Sequence, residues 1–319
     1  MTHPGFDTIL DQCLGVSTGE VVLLIVDPAT DPDVVARLVS GIEARGGRPD
    51  VSAIPHPRLP GSEPPPAAAA ALREADAAIE LTSLFIGSSK ARQAASRAGV
   101  RYLAMPAVVL DTFRSGGPLD VDFDGLSASA EVVGAAWDDG STFRLTSTGG
   151  TDLSGSVAGR PGRVLNGIAR GWGDYMAPPD IEAGTAPVEG TVSGLVVIDA
   201  DLLFMGQGPL PQPVVIHFER GQMVGVEGAH KERLLTMIER CDDGRMSNLA
   251  EVSMGMNPGG TVCGVPMETE SALGTAHIAL GNSIAYGGIV DAVAHLDCVM
   301  AEATLEIDGQ PVISQGELA

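Results

Sequence analysis

EVVLLIVD, residues 20–27, is an unbroken apolar run that closes on an aspartate, and residues 31–47, DPDVVARLVSGIEARGG, continue with apolar positions at helical spacing up to a pair of glycines. This is a strand, a turn and a helix. A second strand is expected at about residues 49–54, after which PHPRLPGSEPPP breaks regular structure and AAAAALREADA resumes as a helix. AAIELTS, SSKARQAASRAGV and RYLAMPAVV then repeat strand, helix and strand. The alternation predicts a βαβ domain with a parallel sheet.

From Ser141 onward the texture changes to short β-rich runs between glycine turns: STFRLTST, GTDLSGSVAGR, GTVSGLVVIDADL, PVVIHFERGQMVGVEG and ATLEIDGQPVI. One helix, KERLLTMIERC, interrupts them. The fold class is therefore α/β plus α+β, with an N-terminal parallel βαβ domain over residues 1–130 and a β-rich, largely antiparallel domain over residues 131–319.

Composition excludes several classes of function. The chain has 319 residues, 44% of them hydrophobic, which is enough for a sizeable core. Its 41 acidic against 19 basic residues give a net charge of -22, which repels nucleic acid and anionic membranes. The cysteines Cys13, Cys241, Cys263 and Cys298 form no CxxC pair and read as reduced thiols. The opening MTHPGFDTIL has no basic region ahead of an apolar core, and no run reaches the ~18 apolar residues of a membrane span, so a cytoplasmic location is expected. No GxGxxG follows the first strand, so no nicotinamide or flavin cofactor is expected.

The chemistry concentrates near the C-terminal end of the chain. In VAHLDCV, His295 and Asp297 flank Leu296, and strand alternation puts the imidazole and the carboxylate on one side with Leu296 behind them. His277 lies in TAHIALGNS, with Glu268 and Glu270 shortly before it, and Glu251 begins EVSMGMNPGG. Imidazole nitrogen with carboxylate oxygen suits Zn, Mn, Fe or Co. An isolated HxD is equally a satisfied strand histidine, and His217 in VVIHFERG reads as decoration of a strand face. Cys298 points away from Asp297 and makes a poor nucleophile, and no GxSxG elbow is present.

IEAGTAPVEGTVSGLVVIDAD, LAEVSMGMNP, GTAHIALGNS and HLD, in that order, resemble the thermophilic leucyl aminopeptidase (aminopeptidase T type) metallopeptidases and their relative 2,5-dihydroxypyridine 5,6-dioxygenase. The resemblance implies an N-terminal α/β domain, a C-terminal metal-binding domain and a homodimer. Carried over by motif, it implies metal ligation by Glu182, Glu251, His277, His295 and Asp297. Tyr286 stands where a catalytic tyrosine or a core tyrosine would stand, and Glu189 and Glu270 are motif acids able to orient a ligand or carry a proton. Arg160 could hold a substrate carboxylate or form a surface ion pair.

The primary expectation is a hydrolase of a small-molecule or short-peptide amide, with about two Zn, Mn or Co ions per chain and Glu251 or Glu270 as the proton carrier. One alternative is a ring-cleaving dioxygenase in which His277, His295 and Asp297 hold one Fe(II). Another is a non-catalytic protein that keeps a metal for structure.

Overall fold

A computed structural model describes residues 2–206 and 208–319. The run at residues 20–27 forms the strand Val21–Val26, second in a five-stranded parallel sheet of order Arg48–Ala53, Val21–Val26, Ala77–Glu80, Arg101–Ala104, Tyr175–Met176. Val22, Leu23, Leu24 and Ile25 are wholly buried because helices cover both faces of the sheet. Val22 and Leu24 join the cluster containing Leu38 and Ile42 of the helix Pro32–Ala44. Leu23 and Ile25 join Ala68 and Leu72 of the helix Pro66–Glu74 on the opposite face. Each such aliphatic side chain contributes about 1.5–3 kcal/mol by leaving water. Asp31 caps the first of these helices by accepting from the Asp33 N–H at 2.9 Å, and Pro32 occupies its first turn.

The expected boundary at residue 130 falls within one continuous helix, Phe123–Asp139. Beyond it the chain builds two antiparallel sheets, and the short strand Tyr175–Met176 returns to pair with Arg101–Ala104 at the edge of the parallel sheet. The larger antiparallel sheet has eight strands and alternates buried with more exposed positions, as in Val214–Glu219 and Ala303–Ile307. Its inner residues Phe143, Leu145 and Ile216 share a core with Val252, Ile278 and Leu296 of the second sheet.

That second sheet has six strands in the order Asp201–Leu202, His295–Met300, Ala276–Gly281, Leu249–Gly255, Glu182–Thr185, Arg163–Leu165. Leu249–Gly255 and Ala276–Gly281 are buried at every position, so any polar residue on them is dehydrated on whichever face it projects. The helix Phe123–Asp139 packs near the strand Glu182–Thr185, where the Trp137 indole N–H donates to the Ala183 carbonyl at 3.2 Å. Among the described residues no helix is long and apolar enough to cross a membrane.

One buried acid lies at the end of a parallel strand. The Glu80 carboxylate accepts from the Ile86 N–H at 2.6 Å and the Tyr102 hydroxyl at 2.8 Å, yet burial pushes it up to about 7. The unfolded chain loses this proton near the ordinary carboxylate value and the folded chain only near 7, so between those values the unfolded state binds fewer protons. The contribution of Glu80 to stability therefore falls as pH rises through this window. Urea unfolding of Glu80→Gln should show stability gained relative to wild type between about pH 5 and about pH 8, by up to roughly 3 kcal/mol. Parallel pH profiles for the two proteins would remove Glu80 as the cause.

Candidate metal centre

Strand register brings the expected ligands onto one face of the six-stranded sheet. Directly opposed residues on neighbouring strands share a face. Glu182 opposes Gly255, Ser253 opposes His277, Glu251 opposes Ala279, and Ala279 opposes Asp297. His295 opposes Gly281, two positions along from Ala279, so it joins the same face. Glu182, Glu251, His277, His295 and Asp297 thus come from four adjacent strands. Their even-numbered or apolar neighbours Val252, Ile278, Leu296 and Cys298 point to the shared core behind.

The side chains converge closely. His277 Nε2 lies 3.1 Å from Glu182 Oε2 and 3.1 Å from Glu251 Oε1. His295 Nε2 lies 2.9 Å from Glu251 Oε2 and 3.1 Å from Asp297 Oδ1. Ligand atoms within 4.8 Å of one another form the groups Glu182, Glu251, His277 and Glu251, His295, Asp297, so Glu251 belongs to both. Glu270 makes a further group with His277 and Asp297. His277 is sealed, with 2% of its side chain exposed, whereas His295 keeps 23% and marks the side open to solvent.

This shell fits cations. Asp180, Glu182, Glu251, Glu270 and Asp297 are all buried, and among the described residues no Lys or Arg lies within 4.0 Å of any of them. Glu182 Oε2, Glu251 Oε2, Glu270 Oε2 and Asp297 Oδ1 lack a well-aligned hydrogen-bond donor even where an imidazole nitrogen stands about 3 Å away. Short separation without donor alignment means that lone pairs face common points, as ligands around a cation do. His295 Nδ1 sits 2.6 Å from the Asn282 carbonyl, which can only accept, so Nδ1 carries a hydrogen and Nε2 is the nitrogen that faces Glu251 and Asp297.

The acid–base properties follow from the crowding. Burial raises Glu182, Glu270 and Asp180, and neighbouring carboxylates raise them further. Burial also opposes the charge of Glu251, but contacts from His277 and His295 outweigh it and hold this carboxyl below the ordinary range. Both imidazoles lose to burial and gain more from their carboxylate neighbours, ending well above the usual histidine value.

Tyr286, in the turn Ile284–Tyr286, donates its hydroxyl to Glu182 Oε1 at 2.7 Å and stacks on His295 with ring centroids 5.7 Å apart. Arg160 is not brought into the group: its guanidinium is filled by Glu189 and the Gly287 carbonyl, which pins the loop beyond Tyr286. Glu268 pairs with Arg114 at 3.1 Å, and His217 faces Glu227 at 3.2 Å on the other antiparallel sheet. Sequence reasoning passed over Ser253, whose hydroxyl donates to Glu251 Oε1, although strand alternation from Glu251 would have found it. It also passed over Asp180, for which the sequence carries no periodic signal.

A buried shell of acids and imidazoles on adjacent strands, within a mixed fold of one parallel and two antiparallel sheets, defines a metal-binding enzyme. The profile of the NicX family, 2,5-dihydroxypyridine 5,6-dioxygenase, matches residues 3–319, and the chain belongs to that family. Among solved structures it is similar to the 2,5-dihydroxypyridine dioxygenase from Pseudomonas putida KT2440, with TM-score 0.82 and 16% identity over 99% of this chain and 96% of that one. It is also similar to wild-type AmpT from Thermus thermophilus, with TM-score 0.68 and 18% identity over 99% and 98% of the two chains. At these identities the likeness is one of fold. No curated protein matches the chain.

Because Glu251 is common to two groups, Glu251→Ala should strip metal from both, lowering content measured by inductively coupled plasma mass spectrometry to below about a tenth of wild type. His295→Ala should empty only the group it shares with Asp297. Full metal occupancy in Glu251→Ala, with circular dichroism unchanged, would show that the shell is assembled differently.

Proposed function

We propose that the chain is a metal-dependent hydrolase that holds two divalent ions, Zn, Mn or Co, and acts on an amide or peptide bond of a small substrate. The observation that carries this reading is Glu251, whose Oε1 faces His277 while its Oε2 faces His295. With Glu251 in two three-residue groups, Glu182, His277, Glu251, His295 and Asp297 together could hold two ions, whereas a single ion needs only one such group. When bound, the ions would supply Lewis acidity and a water of lowered pKa.

The chain's own residues do the rest. Glu270 is buried, has an unpartnered Oε2, and burial and Asp297 push its carboxyl well above the ordinary range, which suits it to pass a proton to a departing amine. Tyr286 fixes Glu182 by its 2.7 Å hydrogen bond and covers His295, which keeps both groups in register on the solvent side. A homodimer and a cytoplasmic location are part of the same proposal.

A second reading is supported by the family profile and by the higher TM-score to the dioxygenase, 0.82 against 0.68 for AmpT. In it one Fe(II) is held by His295, Asp297 and a further member of the shell, and the reaction opens a hydroxylated ring. His277, His295 and Asp297 do not themselves form a group within 4.8 Å, which weighs against the simple arrangement of two histidines and one carboxylate.

Metal analysis and substrate assays separate the readings. About two Zn, Mn or Co per chain, with amine release from aminoacyl amides, is the outcome expected of the hydrolase. About one iron per chain with oxygen consumption on dihydroxypyridines would transfer the assignment, and absence of metal would weaken both readings. Glu270→Gln is expected to lower kcat by at least about 100-fold while keeping its metal, since it retains shape and loses the transferable proton. Wild-type turnover in that variant would remove Glu270 from the reaction.

A further inference from the structure

The metal centre is crowded with carboxylates, yet one guanidinium beside it has no acid partner. Arg163 opposes Gly184, Gly184 opposes Ser253, and Ser253 opposes His277. Arg163 therefore projects from the edge strand onto the same sheet face as the metal ligands. Gly184 lies between them, and a Cβ there would come within 1.6 Å of the Ser253 hydroxyl, so only glycine leaves room for Ser253 on this row. The Arg163 guanidinium carbon sits 5.7 Å from the centre of the Tyr286 ring, whose hydroxyl holds Glu182.

Arg92 is a second half-buried guanidinium with no carboxylate within 4.0 Å among the described residues. Its guanidinium carbon lies 4.1 Å from the Tyr175 ring, and its partners among the described residues are the Gly87 carbonyl and the Ser96 hydroxyl. Both guanidiniums act on the Tyr175 phenol, opposing the rise that burial causes, and the charge of Arg163 adds to burial in lowering Arg92. Among the described residues neither guanidinium lies within 4.0 Å of a carboxylate, and Glu80 is the acid whose charge reaches Arg92, so Arg163 keeps its fork open to an anion.

The contrast lies with the other arginines that leave solvent; the remaining arginines without a carboxylate within 4.0 Å, apart from Arg92, are exposed. Arg45, Arg101, Arg114, Arg160 and Arg233 each lie within 4.0 Å of a carboxylate. Among the described residues Arg163 makes no side-chain hydrogen bond and no ion pair, although acids outnumber bases 41 to 19 in the sequence. A half-buried guanidinium next to a catalytic shell, with its planar fork unfilled, has the donor geometry for a carboxylate.

We propose that Arg163, supported by Arg92, is the anion-recognising subsite of this centre, and that the substrate carries a carboxylate seated against Arg163 on the Tyr286 side of the metal ligands. This rests on the reading of the shell as a catalytic metal centre. The carboxylate fixes which end of the substrate faces the shell. Specificity then comes from a charge placed apart from the reacting bond.

The test uses the purified protein and two probes of nearly equal shape, pyridine-3-carboxylate and its neutral analogue pyridine-3-carboxamide, titrated by calorimetry. Wild type should bind the carboxylate at least about tenfold more tightly than the carboxamide, the ratio expected of one charge-assisted fork. Arg163→Gln should abolish that preference with metal content unchanged. A carboxylate that merely coordinated metal would keep its preference in Arg163→Gln, and that result overturns the subsite, as does equal or undetectable binding of the probes to wild type. Should Arg163→Gln fail to fold, Arg92→Gln carries the test, and an unchanged preference there overturns the proposal. Metal content is read separately: a preference that depends on Arg163 in a protein without metal would sink the metalloenzyme reading and leave the anion site standing.

Discussion

The constraint on which the rest of the structure depends is the burial of Asp180, Glu182, Glu251, Glu270 and Asp297 beside only two imidazoles, His277 and His295. Isolated carboxylates do not survive ionised in a dry interior unless something positive is placed among them. Here the protein supplies no ammonium or guanidinium within ion-pair distance among the described residues, and several carboxylate oxygens go without an aligned donor. The fold is stable in this arrangement only if protons or metal ions fill the space between these oxygens. Protons satisfy part of it, through the raised Glu182, Glu270 and Asp180. Cations satisfy all of it.

The architecture makes that concentration of charge possible. Four adjacent antiparallel strands each offer one or two ligands, and their register sets the spacing without any flexible loop in the shell. The opposite face of the same strands is filled by Val252, Ile278, Leu280 and Met300, packed into the core shared with the larger sheet. Apolar packing behind the sheet therefore fixes the backbone that positions the polar groups in front of it. Asn282, Tyr286 and Ser253 then constrain individual ligands through one contact each.

The fold alone does not decide the reaction, so the chemistry has to be argued from the site. The whole chain follows the profile of a dioxygenase family, and its overall shape is nearer to a dioxygenase than to an aminopeptidase. Its shell carries a glutamate at 251 that reaches both histidines, together with Glu182. A carboxylate at that junction adds negative charge where a second cation would be held, which is why the donor set, more than the fold, bears on the reaction.

Much of this was legible in the sequence. The apolar run at residues 20–27 with its capped helix announces a parallel βαβ unit, because a strand covered on both sides must be apolar throughout. The HLD element places His295 and Asp297 on one face by alternation alone, and motif resemblance adds Glu182, Glu251 and His277. Strand alternation is a local property, so it can be read from neighbouring residues. Pairing is not local. Which strand lies beside which, and in what register, decided that Glu251 serves two groups, that Arg160 spends its charge on Glu189 while Arg163 is left free beside the shell, and that Tyr175–Met176 closes a sheet begun about 150 residues earlier. Those outcomes depend on contacts between segments far apart in the chain, and only the tertiary structure brings such segments together.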